Sequence, residues 1–165
     1  MTCLFELSIA LLITLLNGFF VMAEYSLVRI RKSRLDELIR QGKSRANTVL
    51  KMSEKLDTYL SATQLGITAS SLLLGWFGGP LLAEMFRGMF GVSAGTWYDH
   101  SLVFACAFLI IVFLHVVFGE LVPRTIALGK VEQVAMAVAY PLVFFHYLLY
   151  PLVVLFNRIS HAVLC

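Results

Sequence analysis

The chain has 165 residues, enough for one domain and too few for a membrane domain with a second, enzymatic one attached. Hydrophobic residues make up 59% and charged residues 14%, with a mean hydropathy of +0.84, so there is more apolar surface than a soluble domain of this size can bury. The net charge of +3 does not point to nucleic acid, because 9 of the 13 Lys and Arg fall between Arg29 and Lys55, beside an apolar run, as membrane topology requires.

A hydrocarbon core about 30 Å thick takes roughly 20 apolar residues per helix. Runs 7–28, 60–83, 102–119 and 134–157 are long enough; the first carries one charge, Glu24, and the last contains Pro141 and Pro151. We read 4–29, 58–86 and 101–119 as transmembrane helices. The chain starts without the basic stretch of a cleavable signal peptide, so the first span is retained with its N-terminus outside. The positive-inside rule then assigns 29–57 to the cytoplasm of a multi-pass cell (inner) membrane protein, with Arg124 and Lys130 arriving on the same side. Trp97 and Tyr98 suit the outer interface, Tyr25 and Tyr59 the inner one.

Within the cytoplasmic segment, Leu35, Leu38 and Ile39, then Ala46, Val49, Leu50 and Leu56, recur at three- and four-residue spacing and predict two short amphipathic helices. Ser33-x-x-Asp36 resembles a capping box and Gly42 a helix stop. For 131–163, hydropathy leaves two options: a fourth span, or a Pro-kinked belt helix along the cytoplasmic surface with the C-terminus in the cytoplasm. The expected fold is an all-α membrane protein of three spans, two cytoplasmic amphipathic helices and this juxtamembrane helix.

Polar residues inside spans mark candidate chemistry. Glu24 lies five residues before Arg29, about 8 Å into the membrane, where function competes with snorkelling or pairing to Arg29 or Arg31. The third span ends in Gly119-Glu120-Leu121-Val122-Pro123-Arg124. Pro123 has no N–H for the carbonyl of Gly119, so a backbone oxygen is freed at a helix break beside the Glu120 carboxylate. Gln64, Thr68, Ser71 and Gly75 form one polar stripe on the second span, and Asn17 shares a face with Glu24. These oxygens can converge on a cation, or Ser71, Gly75 and Gly79 can serve as a small-residue row for helix packing. Magnesium asks for oxygen ligands in near-octahedral geometry at about 2.0 to 2.1 Å, with Glu24 and Glu120 as the metal carboxylates. Zinc or copper would recruit thiolate or imidazole, whereas His115 and His146 are isolated in sequence and Cys3, Cys106 and Cys165 are single and widely spaced.

Asn17-Gly-Phe-Phe-Val-Met-Ala-Glu24-Tyr-Ser-Leu-Val, Ala62-Thr-Gln-Leu-Gly-Ile-Thr68 and Phe118-Gly-Glu-Leu-Val-Pro-Arg-Thr-Ile-Ala127 together resemble the transmembrane domain of the CNNM/CorC family. The resemblance implies a homodimer in the lipid bilayer, the belt reading of 131–163, a cytoplasmic nucleotide-binding CBS module in the full-length protein, and magnesium export coupled to sodium. By position it makes Gly119 and Glu120 part of a cation site and Glu24 its bacterial glutamate. Many members carry Ser-Gly-Ser-Glu where this chain has Val21-Met22-Ala23-Glu24, and Gly-Asn-Asn-Leu-Val-Asn where it has Gly66-Ile-Thr-Ala-Ser-Ser71, so Thr68 and Ser71 are partial substitutes for missing oxygens.

Three functions are held against each other. The first is a Mg2+ or similar divalent-cation transporter using Asn17, Glu24, Gln64, Thr68, Ser71, Gly119 and Glu120; the second is an exporter of polyamines or other organic cations; the third is a membrane scaffold or regulatory anchor. The chain carries no H-E-x-x-H, G-x-S-x-G or phosphate loop, so an enzyme is not expected.

Overall fold

The computed structural model describes the backbone of residues 2–90 and 97–164, and side chains chiefly over 7–78 and 108–156. The sequence readings at Cys3, Gly79, Trp97, Tyr98 and Cys165 lie outside the residues whose side chains are described. All described secondary structure is helical. It runs α1 (Thr2–Arg29), α2 (Lys32–Arg40), α3 (Ser44–Glu54), α4 (Leu56–Phe90), α5 (Trp97–Leu114), a π-helical segment (His115–Leu121), α6 (Val122–Gly129) and α7 (Val131–Leu164). Among the described residues, Leu7–Arg29, Phe108–Gly129 and Val131–Phe156 are long and apolar enough to cross a membrane. The expected second span falls on α4, whose side chains from 79 onward are outside the described set. The stretch 131–156 thus meets the length and composition of a span as well as of a belt.

The chain forms two compact units, Met1–Gly18 with Thr68–Val122, and Phe19–Ile67 with Pro123–Cys165. In the first, α1 contributes Ile13 and Asn17 to the interior, and α4 contributes Ser70, Leu74 and Gly78. A Cβ on Gly78 would stand 2.9 Å from Ile111 Cδ1, so the close approach of α4 and α5 occurs there. Of the small-residue row Ser71, Gly75, Gly79, the described Gly75 does not supply this contact. Gly75 is exposed with nothing within 4 Å, because the packed face of α4 is rotated away from it by three residues.

The second unit contains a helical hairpin of α2 and α3. Leu35 and Leu38 of α2 and Ala46, Val49 and Met52 of α3 are fully buried. Removing each leucine from water contributes about 1.5 to 3 kcal/mol. The turn is a Schellman closure: Lys43 N–H donates to the Leu38 carbonyl at 3.1 Å and Gly42 N–H to that of Ile39 at 2.9 Å. Gly42 takes φ +81°, the left-handed conformation that favours glycine, as the helix-stop reading requires. The capping box does not form. α2 begins at Lys32 with Arg31 as an extended N-cap lacking a side-chain bond, and Ser33 already lies inside the first turn.

Along α7, Val134, Ala135, Val138, Ala139 and Leu142 form the buried stripe, and α3 packs against this helix. Both internal prolines stay within continuous helix. Arg34 of α2 donates from Nε to Glu132 of α7 at 2.6 Å and also pairs with Glu37, and these two carboxylates, Glu132 foremost, hold its pKa above the ordinary arginine value. Phe20 and Phe145 meet edge to face at 5.1 Å, and a Cβ on Gly66 would lie 2.6 Å from the Phe20 ring, so α4 passes directly against that ring.

Candidate functional site

The missing N–H of Pro123 has a structural answer. Instead of ending, the helix widens: His115–Leu121 is wound as a π-helix, with Val122 N–H bonded to the Val117 carbonyl, and α6 continues to Gly129. The helix break expected at Pro123 is therefore a widened turn before a buried proline, which keeps the chain helical while re-aiming its carbonyls. The Gly119 carbonyl finds its donor on another helix, accepting a hydrogen bond of 2.8 Å from Asn17 Nδ2. Asn17 is 1% exposed, so this polar pairing is sealed inside the first unit.

Glycine at 119 sits in a tight place. A Cβ there would come 3.0 Å from His115 Nδ1 and 3.2 Å from Asn17 Nδ2. On its far side the His115 ring places Nε2 3.1 Å from Ser71 Oγ on α4. The first unit thus gathers Asn17, Ser71, His115 and Gly119 into one polar cluster drawn from α1, α4 and the π segment. Sequence reasoning left His115 isolated because its partner lies 44 residues away. The available signal was the spacing of four between His115 and Gly119, which stacks them on one helix face. An apolar cavity of about 330 Å³ between Leu11, Leu74, Ile111 and Phe118 reaches this histidine, with Thr14 as its other polar wall.

The remaining candidate residues divide by exposure. Glu120, next to the re-aimed carbonyl, is exposed, as is Thr68, while Ser71 is half-buried. In the second unit Glu24 is half-buried on α1 and Gln64 is exposed on α4. The neighbour of Glu24, Tyr25, lies under the Arg124 guanidinium, 4.6 Å from the ring centroid. His146, also read as isolated, is 8% exposed and stacks on Tyr59 at 4.4 Å, edge-on to Tyr147 and Tyr150. Among the described residues no three His, Cys, Asp or Glu side chains cluster as a metal centre, and Cys106 is an exposed free thiol. The chemistry available at the π segment is therefore that of amide and backbone oxygens, a carboxylate and one imidazole, a set suited to hard or borderline cations.

The cyclin M (CNNM) transmembrane N-terminal domain model matches residues 7–165. The UPF0053 protein YugS of Bacillus subtilis is 41% identical over 143 residues, covering 86% of this chain and 33% of that protein. UPF0053 protein YhdT of the same bacterium is 42% identical over 151 residues, covering 91% and 32%. In Mycobacterium tuberculosis, protein Rv1841c is 38% identical over 156 residues, covering 94% and 44%. The chain spans about a third of the length of the Bacillus relatives. With its apolar helices and its π turn at Gly119-Glu120, the chain belongs to the CNNM transmembrane-domain family and is a multi-pass membrane domain.

Proposed function

We propose that this domain transports a divalent cation, magnesium or an ion of like charge, outward across the membrane with sodium as the coupling ion. One observation carries the reading: the Gly119 carbonyl, inside the π segment, accepts a hydrogen bond from buried Asn17 and is followed directly by the Glu120 carboxylate. Irregular helical backbone that offers carbonyls and carboxylates at membrane depth is a recurring way to bind a partly dehydrated cation. Ser71 and Thr68 are neutral oxygens of the same unit. Homodimerisation, a cytoplasmic C-terminus after a belt helix, and a CBS module in the full-length protein belong to the same proposal. Isothermal titration of Mg2+ into the purified protein tests it: binding should weaken about tenfold in Glu120→Gln, and unchanged binding would remove Glu120 from the site.

A polyamine exporter is the second reading, favoured by the apolar Val21, Met22 and Ala23 that precede Glu24 and leave few neutral oxygens near that carboxylate. An ammonium group needs fewer ligands than a dehydrated metal ion. Thermal stabilisation by putrescine and not by Mg2+ would decide for it.

A further inference from the structure

Two buried polar atoms flank Gly119 without a hydrogen-bond partner among the described residues: Asn17 Oδ1 and His115 Nδ1. Buried polar atoms are paired in the great majority of cases, so two in one place indicate something that binds there. The assignment of each atom follows from its neighbour. Asn17 Nδ2 donates to the Gly119 carbonyl, which makes Oδ1 the acceptor end of the amide. His115 Nε2 faces Ser71 Oγ; with Nε2–H donating to that hydroxyl, Nδ1 keeps its lone pair. This is the second-shell arrangement of metal-binding histidines, whose other ring nitrogen is oriented by an oxygen acceptor. Both side chains border the point a Gly119 Cβ would occupy, at 3.0 Å for Nδ1 and 3.2 Å for the Asn17 amide nitrogen, so the glycine leaves a cradle that a methyl group would fill. The cavity of about 330 Å³ has His115 in its wall, so the ring borders open space as well as the cradle.

We infer that Asn17 Oδ1 and His115 Nδ1 form a metal position of mixed oxygen and nitrogen character, which takes borderline divalent ions such as Mn2+ or Zn2+ in preference to Mg2+. An imidazole ligand adds affinity along the first-row transition series and gives little to magnesium, which keeps its waters and prefers oxygen. For its role the position rests on the cation-transport reading; for its existence it rests only on the geometry beside Gly119.

The test uses the protein in lipid nanodiscs with Mn2+ as the probe, read by electron spin echo modulation, which detects a coordinated ¹⁴N directly. Nitrogen coupling is expected in the wild type and is lost in His115→Gln and Gly119→Ala. In His115→Gln, Mn2+ affinity falls by about tenfold or more while Mg2+ affinity stays within about twofold. If His115→Gln fails to fold, Ser71→Ala serves instead, with Mn2+ affinity expected to fall severalfold through the freed ring. Bound Mn2+ without nitrogen coupling, or equal Mn2+ affinity in wild type and the folded variant, overturns the site. Nitrogen-coupled Mn2+ in a protein that moves no cation keeps the site and defeats the transport reading. Cation flux that depends on Glu120 without nitrogen coupling does the reverse.

Discussion

A single amide holds the re-aimed carbonyl. Asn17→Ala leaves the Gly119 oxygen without its side-chain donor inside the membrane, where such bonds average about 0.6 kcal/mol and reach about 1.7. We predict a stability loss near 1 kcal/mol by reversible unfolding in mixed micelles, together with a much larger loss of cation binding by titration. A drop in stability alone would make Asn17 a packing residue. Gly66 makes the opposite kind of demand. Its Cβ position is 2.6 Å from the Phe20 ring, so Gly66→Ala should destabilise by about 1 to 3 kcal/mol, and Phe20→Leu in the same chain should recover part of that loss. Additive effects of the two changes would contradict direct packing of residue 66 on the ring.

At the scale of elements, the π segment and the α2–α3 turn each depend on one residue. Pro123→Ala restores an N–H within reach of the Gly119 carbonyl, so the segment should relax toward α-helix. Thermal stability should hold or rise while cation binding falls by about tenfold. Equal binding would mean that Asn17 alone aims the carbonyl. Gly42→Ala meets no neighbouring atom within 4 Å, so its cost is backbone strain alone, about 1 kcal/mol by thermal unfolding in detergent, with cation binding unchanged.

These elements also show what the sequence discloses. Gly42 and Pro123 were readable because glycine's left-handed freedom and proline's missing donor are local properties. The buried faces of α2 and α3 were readable because periodicity reports burial. The start of α2 was misplaced by two residues, since backbone bonds from Arg34 and Leu35 to the Arg31 carbonyl suffice without a serine cap. The partnership of His115 with Ser71 and the approach of Gly66 to Phe20 are pairings between distant helices, set by rotation and packing, and no short-range pattern encodes them. The polar stripe on α4 was visible, but its rotation was not: Ser71 turns inward while Gln64 and Thr68 stay exposed.

For the whole molecule, the basic hairpin and the apolar helices support one proposed orientation in the bilayer. Exposed Arg31, Lys32, Arg40, Lys43, Arg45, Lys51 and Lys55 concentrate positive charge around α2 and α3, which the positive-inside rule assigns to the cytoplasm. Cysteines introduced at exposed Gln41 and at Arg158 should both react with a membrane-impermeant thiol reagent only from the cytoplasmic side, with the native cysteines replaced by alanine. Labelling of position 158 from outside would make α7 a fourth crossing instead of a belt. The central claim, that Gly119-Glu120 at the π turn handles a cation, is tested most directly by Mg2+ flux in proteoliposomes. Wild-type protein should carry Mg2+ down an imposed gradient, and Glu120→Gln, folded and reconstituted to the same density, should lose about tenfold or more of that flux. Equal flux in both proteins would contradict it.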